Sequence, residues 1–293
     1  MQIGDLNILF GQHPQLKVLG EELRAKGTHV LVSGLHASAR ALALSQVARP
    51  LFIVLDNAEA AEYMYSDLKS LETRDESRET RVLFFPQSQK RRAVDEAAVI
   101  QRTECLTALG SRVQEFKSSK VQEFKSSRVQ ELIVVTYPEA MSEAVPGKEE
   151  LSGRSMTLKV GQEIQQTSLA AQLADLGFER VDFVFQPGQY AVRGSIVDIY
   201  SYSHDIPYRF DFFGDEIDSI REFDIEDQLS KSRIEEATIT CTKGQCTMYD
   251  SSIVDYLSEE TVWVSNDFHM VQFKLSGLGD ERISGLVDER TTI

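Results

Sequence analysis

Between residues 14 and 136, short apolar runs with no polar alternation take turns with longer stretches of helical spacing, and this most constrains the fold. The runs are 51–55 (LFIVL), 81–85 (RVLFF, stopped by Pro86) and 133–136 (IVVT). Strands that are apolar on both faces and separated by helices specify a parallel sheet covered on both sides. The first helix is expected over 14–26. Pro14 stands where a missing N–H costs nothing, Leu16, Leu19 and Leu23 share a face, and Gly27 follows at the C′ position. A further strand is expected over 29–32 (HVLV), leading through Ser33 and Gly34 into a helical stretch over 38–47. Asp56 and Asn57 are placed to cap the next helix, which ends near Leu71.

From Met156 the period changes. A strand and a short helix closed by Gly177 lead to strands over 180–185, 189–193 and 195–200, and then to a hairpin. In 208–213 (YRFDFF), Phe210 and Phe212 share one face while Arg209 and Asp211 share the other, and Gly214 and Asp215 make the turn. In 189–193, Tyr190 and Val192 alternate with Ala191 and Arg193, so a core-facing Tyr190 sends Arg193 to the opposite side. Arg193 then either meets a partner protein or pairs within the domain with Asp198 or Asp211. Arg180 opens the strand over 180–185. Residues 211–237 hold ten acids and three bases, which reads as a solvated face.

The two patterns are separated by a repeat of period eight over 112–132 (RVQEFKSS, KVQEFKSS, RVQEL). That period is too short for a solenoid, and its apolar residues drift by about 80° per copy around a helix. A duplication in a tolerant surface segment is the expectation.

Forty-six acidic residues against thirty-one basic ones give a net charge of −15, which opposes nucleic-acid binding driven by phosphate contacts. Binding through Lys90, Arg91, Arg92 and the repeat therefore ranks last. The longest apolar run is far short of the roughly 20 residues that span a membrane, and the N-terminus lacks a basic and apolar leader, so a cytoplasmic protein is expected. Three cysteines, Cys105, Cys241 and Cys246, fit a reducing compartment, and the Cys241/Cys246 spacing has no second pair or nearby histidine to complete a metal site. No metal and no cofactor are expected.

The strand-loop-helix over 30–47 occupies the place of a phosphate loop, and the G-x4-G-K-[ST] pattern can be laid on 34–41 (GLHASARA). Only Gly34 survives. Ala39 adds a Cβ where backbone N–H groups should close on phosphate, Arg40 keeps the charge without the compact ammonium, and Ala41 offers no oxygen to magnesium. The second motif of such folds is an apolar strand ending in acids. Here 262–269 (VWVSNDFH) puts Asn266 at the metal-facing position, with Asp267 after it. The pair reads as a former nucleotide site, with a working P-loop enzyme of helicase type as the alternative.

Segments 177–182 (GFERVD), 186–200 (QPGQYAVRGSIVDIY) and 209–224 (RFDFFGDEIDSIREFD) resemble the N-terminal module of bacterial transcription-repair coupling factors, itself similar to the excision-repair protein UvrB. Segments 83–86 (LFFP), 102–104 (RTE) and 133–140 (IVVTYPEA) extend the resemblance over nearly the whole chain, with the repeat as its chief departure. UvrB itself is disfavoured, because 87–92 (QSQKRR) replaces the long aromatic hairpin that grips DNA. The resemblance implies a RecA-like α/β domain with a degenerate P-loop, over 1–146 and 237–293, interrupted at 147–236 by a strand-rich α+β domain that docks UvrA. It implies Arg193, Arg209 and Arg180 on the docking surface and no catalysis by this fragment. Its other partners would be the RNA-polymerase-binding domain and the ATP-dependent DNA translocase motor of the full-length family protein. No strong DNA binding and no membrane contact are implied.

Overall fold

Leu51–Val54 is buried at every position and has a parallel neighbour on each side, as expected of an unbroken apolar run at the centre of a sheet covered on both faces. In the computed structural model, which describes residues 9–25, 27–72, 78–90, 93–118, 129–241 and 249–277, the chain divides into two units. The first comprises Met1–Lys90, Ser111–Ala144 and Ser252–Ile293; the second comprises Arg91–Gly110 and Val145–Ser251.

The first unit is built on a parallel sheet in the order Val262–Ser265, Leu51–Val54, Val129–Thr136, Arg78–Phe84. Phe52 and Trp263, adjacent in register and both fully buried, meet edge to face at 4.9 Å between ring centroids. Helix Ala58–Lys69 covers the sheet with Ala61, Met64 and Leu68, whose spacing keeps them on one stripe. It starts where the sequence places it: the Asn57 side chain accepts the Ala60 N–H at 2.9 Å. The first helix opens at Pro14 and ends at Glu22, one turn earlier than expected.

Residues 29–32 do not form the expected strand: no ladder forms at 30–32, and Leu31 is 93% exposed. A short apolar run becomes a strand only when a sheet edge pairs along it; here only His29 makes a bridge, and residues 30–32 continue no ladder. The repeat shows how little local sequence decides. Its first copy lies in helix Glu96–Ser118, its last in strand Val129–Thr136, and 119–128 lie outside the described residues.

The second unit holds a six-stranded sheet in the order Ser230–Ile234, Glu216–Phe223, Tyr208–Phe213, Ile196–Tyr200, Gln189–Arg193, Glu179–Arg180. All pairs are antiparallel except the last. Helix Gln166–Asp175 buries Leu169 and Leu173 against Tyr190, Ile199, Phe210 and Ile220, and the antiparallel pair Ser155–Lys159/Glu236–Thr240, distant in sequence, adds Leu158, Ala237 and Ile239 to that core. Fully burying a leucine contributes about 1.5–3 kcal/mol, so these two alone anchor the helix. The helix closes as its sequence demands. Gly177 takes a left-handed conformation (φ 95°), Phe178 N–H reaches the Leu173 carbonyl at 2.9 Å, and both side chains enter the core. The expected strand over 180–185 ends at Arg180, and Phe183 and Phe185 are exposed.

Candidate functional site

Strand alternation gives the six-stranded sheet two faces, and the one turned from the large core is not bare. Val184, Ala191, Tyr200 and Phe223 form a small cluster there. Beside it, Ala191, Asp198, Arg209, Arg221 and Arg233 stand in one row across five strands, with Arg193, Asp211 and Ser219 in the next. Arginines directly opposite one another repel, by about 0.2–1 kcal/mol per pair. Three of the four arginines on this face pair with its two aspartates, Asp198 and Asp211, and the fourth, Arg233, does not.

Asp198 is 1% exposed and sits between Arg193 and Arg209. Arg209 donates from Nε and Nη2 to its two oxygens at 2.7 and 3.0 Å. It also donates from Nη1 to the Gln228 carbonyl at 3.1 Å and lies 4.2 Å over the Phe223 ring. Arg209 is thus pinned on every side, and a buried carboxylate with this fork is tolerated because its lone pairs are met. Arg193 donates from Nη2 to the same carboxylate, lies 4.6 Å over the Phe183 ring, and keeps about a third of its side chain exposed. Of the alternatives for Arg193, the intradomain pair with Asp198 forms, and the exposed part of the side chain still faces outward. Arg221 pairs with Asp211 and is 39% exposed; Arg233 is exposed and reaches only the Asp218 carbonyl, at 3.4 Å.

Arg180 does not join this group. Its register partner is Tyr190, a core-facing residue, whereas Val181 packs on the small cluster with Ala191, so Arg180 lies on the other face, exposed. Arg221, Arg233 and Phe183 escaped the sequence reading because the first two sit in an acid-rich stretch. Carried through the Gly214 turn, plain alternation sets Arg221 opposite Tyr208; a bulge between Asp211 and Phe212 shifts the register by one and brings Arg221 opposite Arg209, which no local pattern foretells. The acids of that stretch are partly neutralised in place: Asp211 by Arg221, and Asp224 by Lys231, whose hydrogen bond at 2.8 Å holds the carboxyl below its usual value.

In the first unit the structure brings the two nucleotide-like segments together. Gly34 has φ 84°, and helix Ala39–Leu44 carries Arg40, which donates to Asn266 Oδ1 at 2.9 Å. Ala41 is 1% exposed, so its methyl belongs to the core. Asp267 Oδ1 accepts the Met270 N–H at 3.1 Å, which caps helix Phe268–Gly277. A half-open cleft of about 240 Å³ lies beside Arg40 and Asn266 at the ends of Leu51–Val54 and Val262–Ser265.

Cys105 and Cys241 are buried and in no disulfide among the described residues; Cys246, Arg91 and Arg92 lie outside the described residues. Among the described residues no three His, Cys, Asp or Glu side chains converge as metal ligands, and no helix is long and apolar enough to cross a membrane.

Residues 156–244 match the family model of the UvrB interaction domain. The chain is similar to the transcription-repair-coupling factor of Bacillus subtilis (strain 168), with 31% identity over 204 residues, 68% of this chain and 16% of that protein. It is 40% identical to the Escherichia coli (strain K12) transcription-repair-coupling factor over 85 residues, 29% of this chain and 7% of that protein. It is 36% identical to that of Staphylococcus aureus (strain MRSA252) over 112 residues, covering 38% and 9%. The matched part thus spans less than a fifth of the length of each of these relatives. The arginine-lined sheet therefore belongs to a UvrB interaction domain, carried by a chain related to the transcription-repair-coupling factors.

Proposed function

We propose that this chain is the UvrA-recruiting, non-catalytic module of a transcription-repair-coupling factor, acting in transcription-coupled nucleotide excision repair. The observation that carries the reading is the row of arginines on one sheet face of a UvrB interaction domain. Four cations against two aspartates cost stability that an acidic partner surface recovers on docking. Arg193 meets the partner directly, backed by Arg209, which fixes Asp198 beneath it. Arg180, on the opposite face, serves at most as a separate contact. The docking domain is read as residues 147–236, inserted in a RecA-like domain made of 1–146 and 237–293.

The alternative, a nucleotide-dependent P-loop enzyme, is disfavoured by Asn266, a neutral amide at the metal-facing position, and by the buried methyl of Ala41, which offers magnesium no oxygen. ATP-driven translocation, and contact with the RNA-polymerase-binding and motor domains, belong to the full-length relatives in this reading, and the module makes no strong DNA contact of its own. The test is titration of the chain onto immobilised purified UvrA. Saturable binding that weakens as salt rises is expected; no binding at low salt would overturn the reading.

A further inference from the structure

The cleft in the first unit has a chemistry that docking does not use. Its walls are aliphatic: Leu19, Leu44, Ile53, Met64 and Val264 among them. One end is polar, with Arg40 and Asn266. Arg40 forms no ion pair among the described residues; its partner is the neutral Asn266 amide, whose oxygen it occupies at 2.9 Å. The guanidinium therefore keeps its full charge and further N–H donors, and the Asn266 amide nitrogen adds more. An acid at position 266 would have cancelled that charge.

Ligands of open parallel sheets sit beyond the carboxyl ends of the strands, where this cleft lies. A nucleotide fits poorly. It brings several negative charges to a single cation, with Ala41 offering no oxygen to magnesium and no aromatic wall for a base. A ligand with one negative charge and an aliphatic body matches both ends. The volume of 240 Å³ exceeds the roughly 150 Å³ of an apolar cavity that admits benzene.

We propose that this cleft binds a monocarboxylate with an aliphatic tail of medium length, its carboxylate on Arg40 and Asn266 and its tail among the leucines. The carboxylate accepts two parallel N–H bonds from the guanidinium, the geometry that makes such pairs strong. The tail covers surface left open beside Leu31, which is 93% exposed at the rim. The proposal is independent of UvrA docking.

The experiment is calorimetric titration of the whole chain with octanoate, with octan-1-ol as the uncharged control and circular dichroism as the check on folding. Octanoate should bind saturably with a Kd of about 1 mM or tighter, and octan-1-ol at least about tenfold more weakly. Arg40→Gln should remove that difference. Leu31→Glu, at an exposed position that leaves the fold alone, removes apolar lining for both ligands and adds like charge at the rim, so it should weaken octanoate more than octan-1-ol. No saturable octanoate binding, equal affinity for the alcohol, or octanoate affinity untouched by both variants would overturn the proposal.

Discussion

Arg209 grips Asp198 through two nitrogens, at 2.7 and 3.0 Å, in a place where the carboxylate is 1% exposed. Removing one partner of such a pair leaves the other charge buried and unmet, so Asp198→Asn should lower stability by about 3 kcal/mol or more. Urea unfolding measures it. A loss within about 0.5 kcal/mol, the scale of an ordinary surface substitution, would mean that the carboxylate does not organise this face.

Burial raises the phenol pKa of Tyr200, with the nearby Asp205 carboxylate adding to the shift, and burial likewise raises Tyr137 and Tyr202 above 10.0. The folded state then holds these protons more tightly than the unfolded one. Their contribution to stability is complete below the unfolded value of about 10 and disappears as pH rises through the folded values. Phenolate absorbance followed against pH should show a late fraction that ionises only as the fold opens. Ionisation of all tyrosines together, with stability unchanged, is the contrary result.

The nucleotide-like loop should bind no Mg-ATP in the physiological range and hydrolyse none, because Ala39, Arg40 and Ala41 alter three ligand-bearing positions at once. Calorimetry with Mg-ATP decides this. Micromolar binding that disappears in Arg40→Ala would restore the enzyme reading.

Asn57 caps helix Ala58–Lys69 through its bond to the Ala60 N–H, so Asn57→Ala should cost about 1 kcal/mol. Thermal or urea unfolding checks the figure, and an unchanged midpoint would mean that solvent satisfies the helix start equally well.

What the sequence made legible was whatever local chemistry decides. The parallel sheet followed from unalternating runs such as 51–55, the cap at Asn57 from its residue type, the helix stop from Gly177, and the hairpin faces from the alternation of Phe210 and Phe212 with Arg209 and Asp211. The strand expected over 29–32 is reduced to a single bridge at His29 because a strand needs an edge to pair along, which no local pattern supplies. The last copy of the repeat is a strand while its first is a helix for the same reason. At the candidate site, alternation sent Arg193 and Arg209 to one face, but their shared Asp198 is a matter of register across three strands. The face on which Arg180 lies, which the resemblance groups with them, depends on the parallel register of 179–180 against 189–190, and alternation alone does not give that register.

The affinity of the chain for purified UvrA, wild type against Arg193→Ala, tests the central claim most directly. Asp198 keeps both of its bonds to Arg209 when Arg193 is removed, so the fold should survive and the melting temperature should barely move. An arginine anchor at an interface costs about 2 kcal/mol or more on truncation, so affinity should fall at least about tenfold. Arg180→Ala, on the other face, should change it far less. Unchanged affinity in a folded Arg193→Ala protein, or a loss accounted for entirely by unfolding, would contradict the assignment of this arginine face to UvrA.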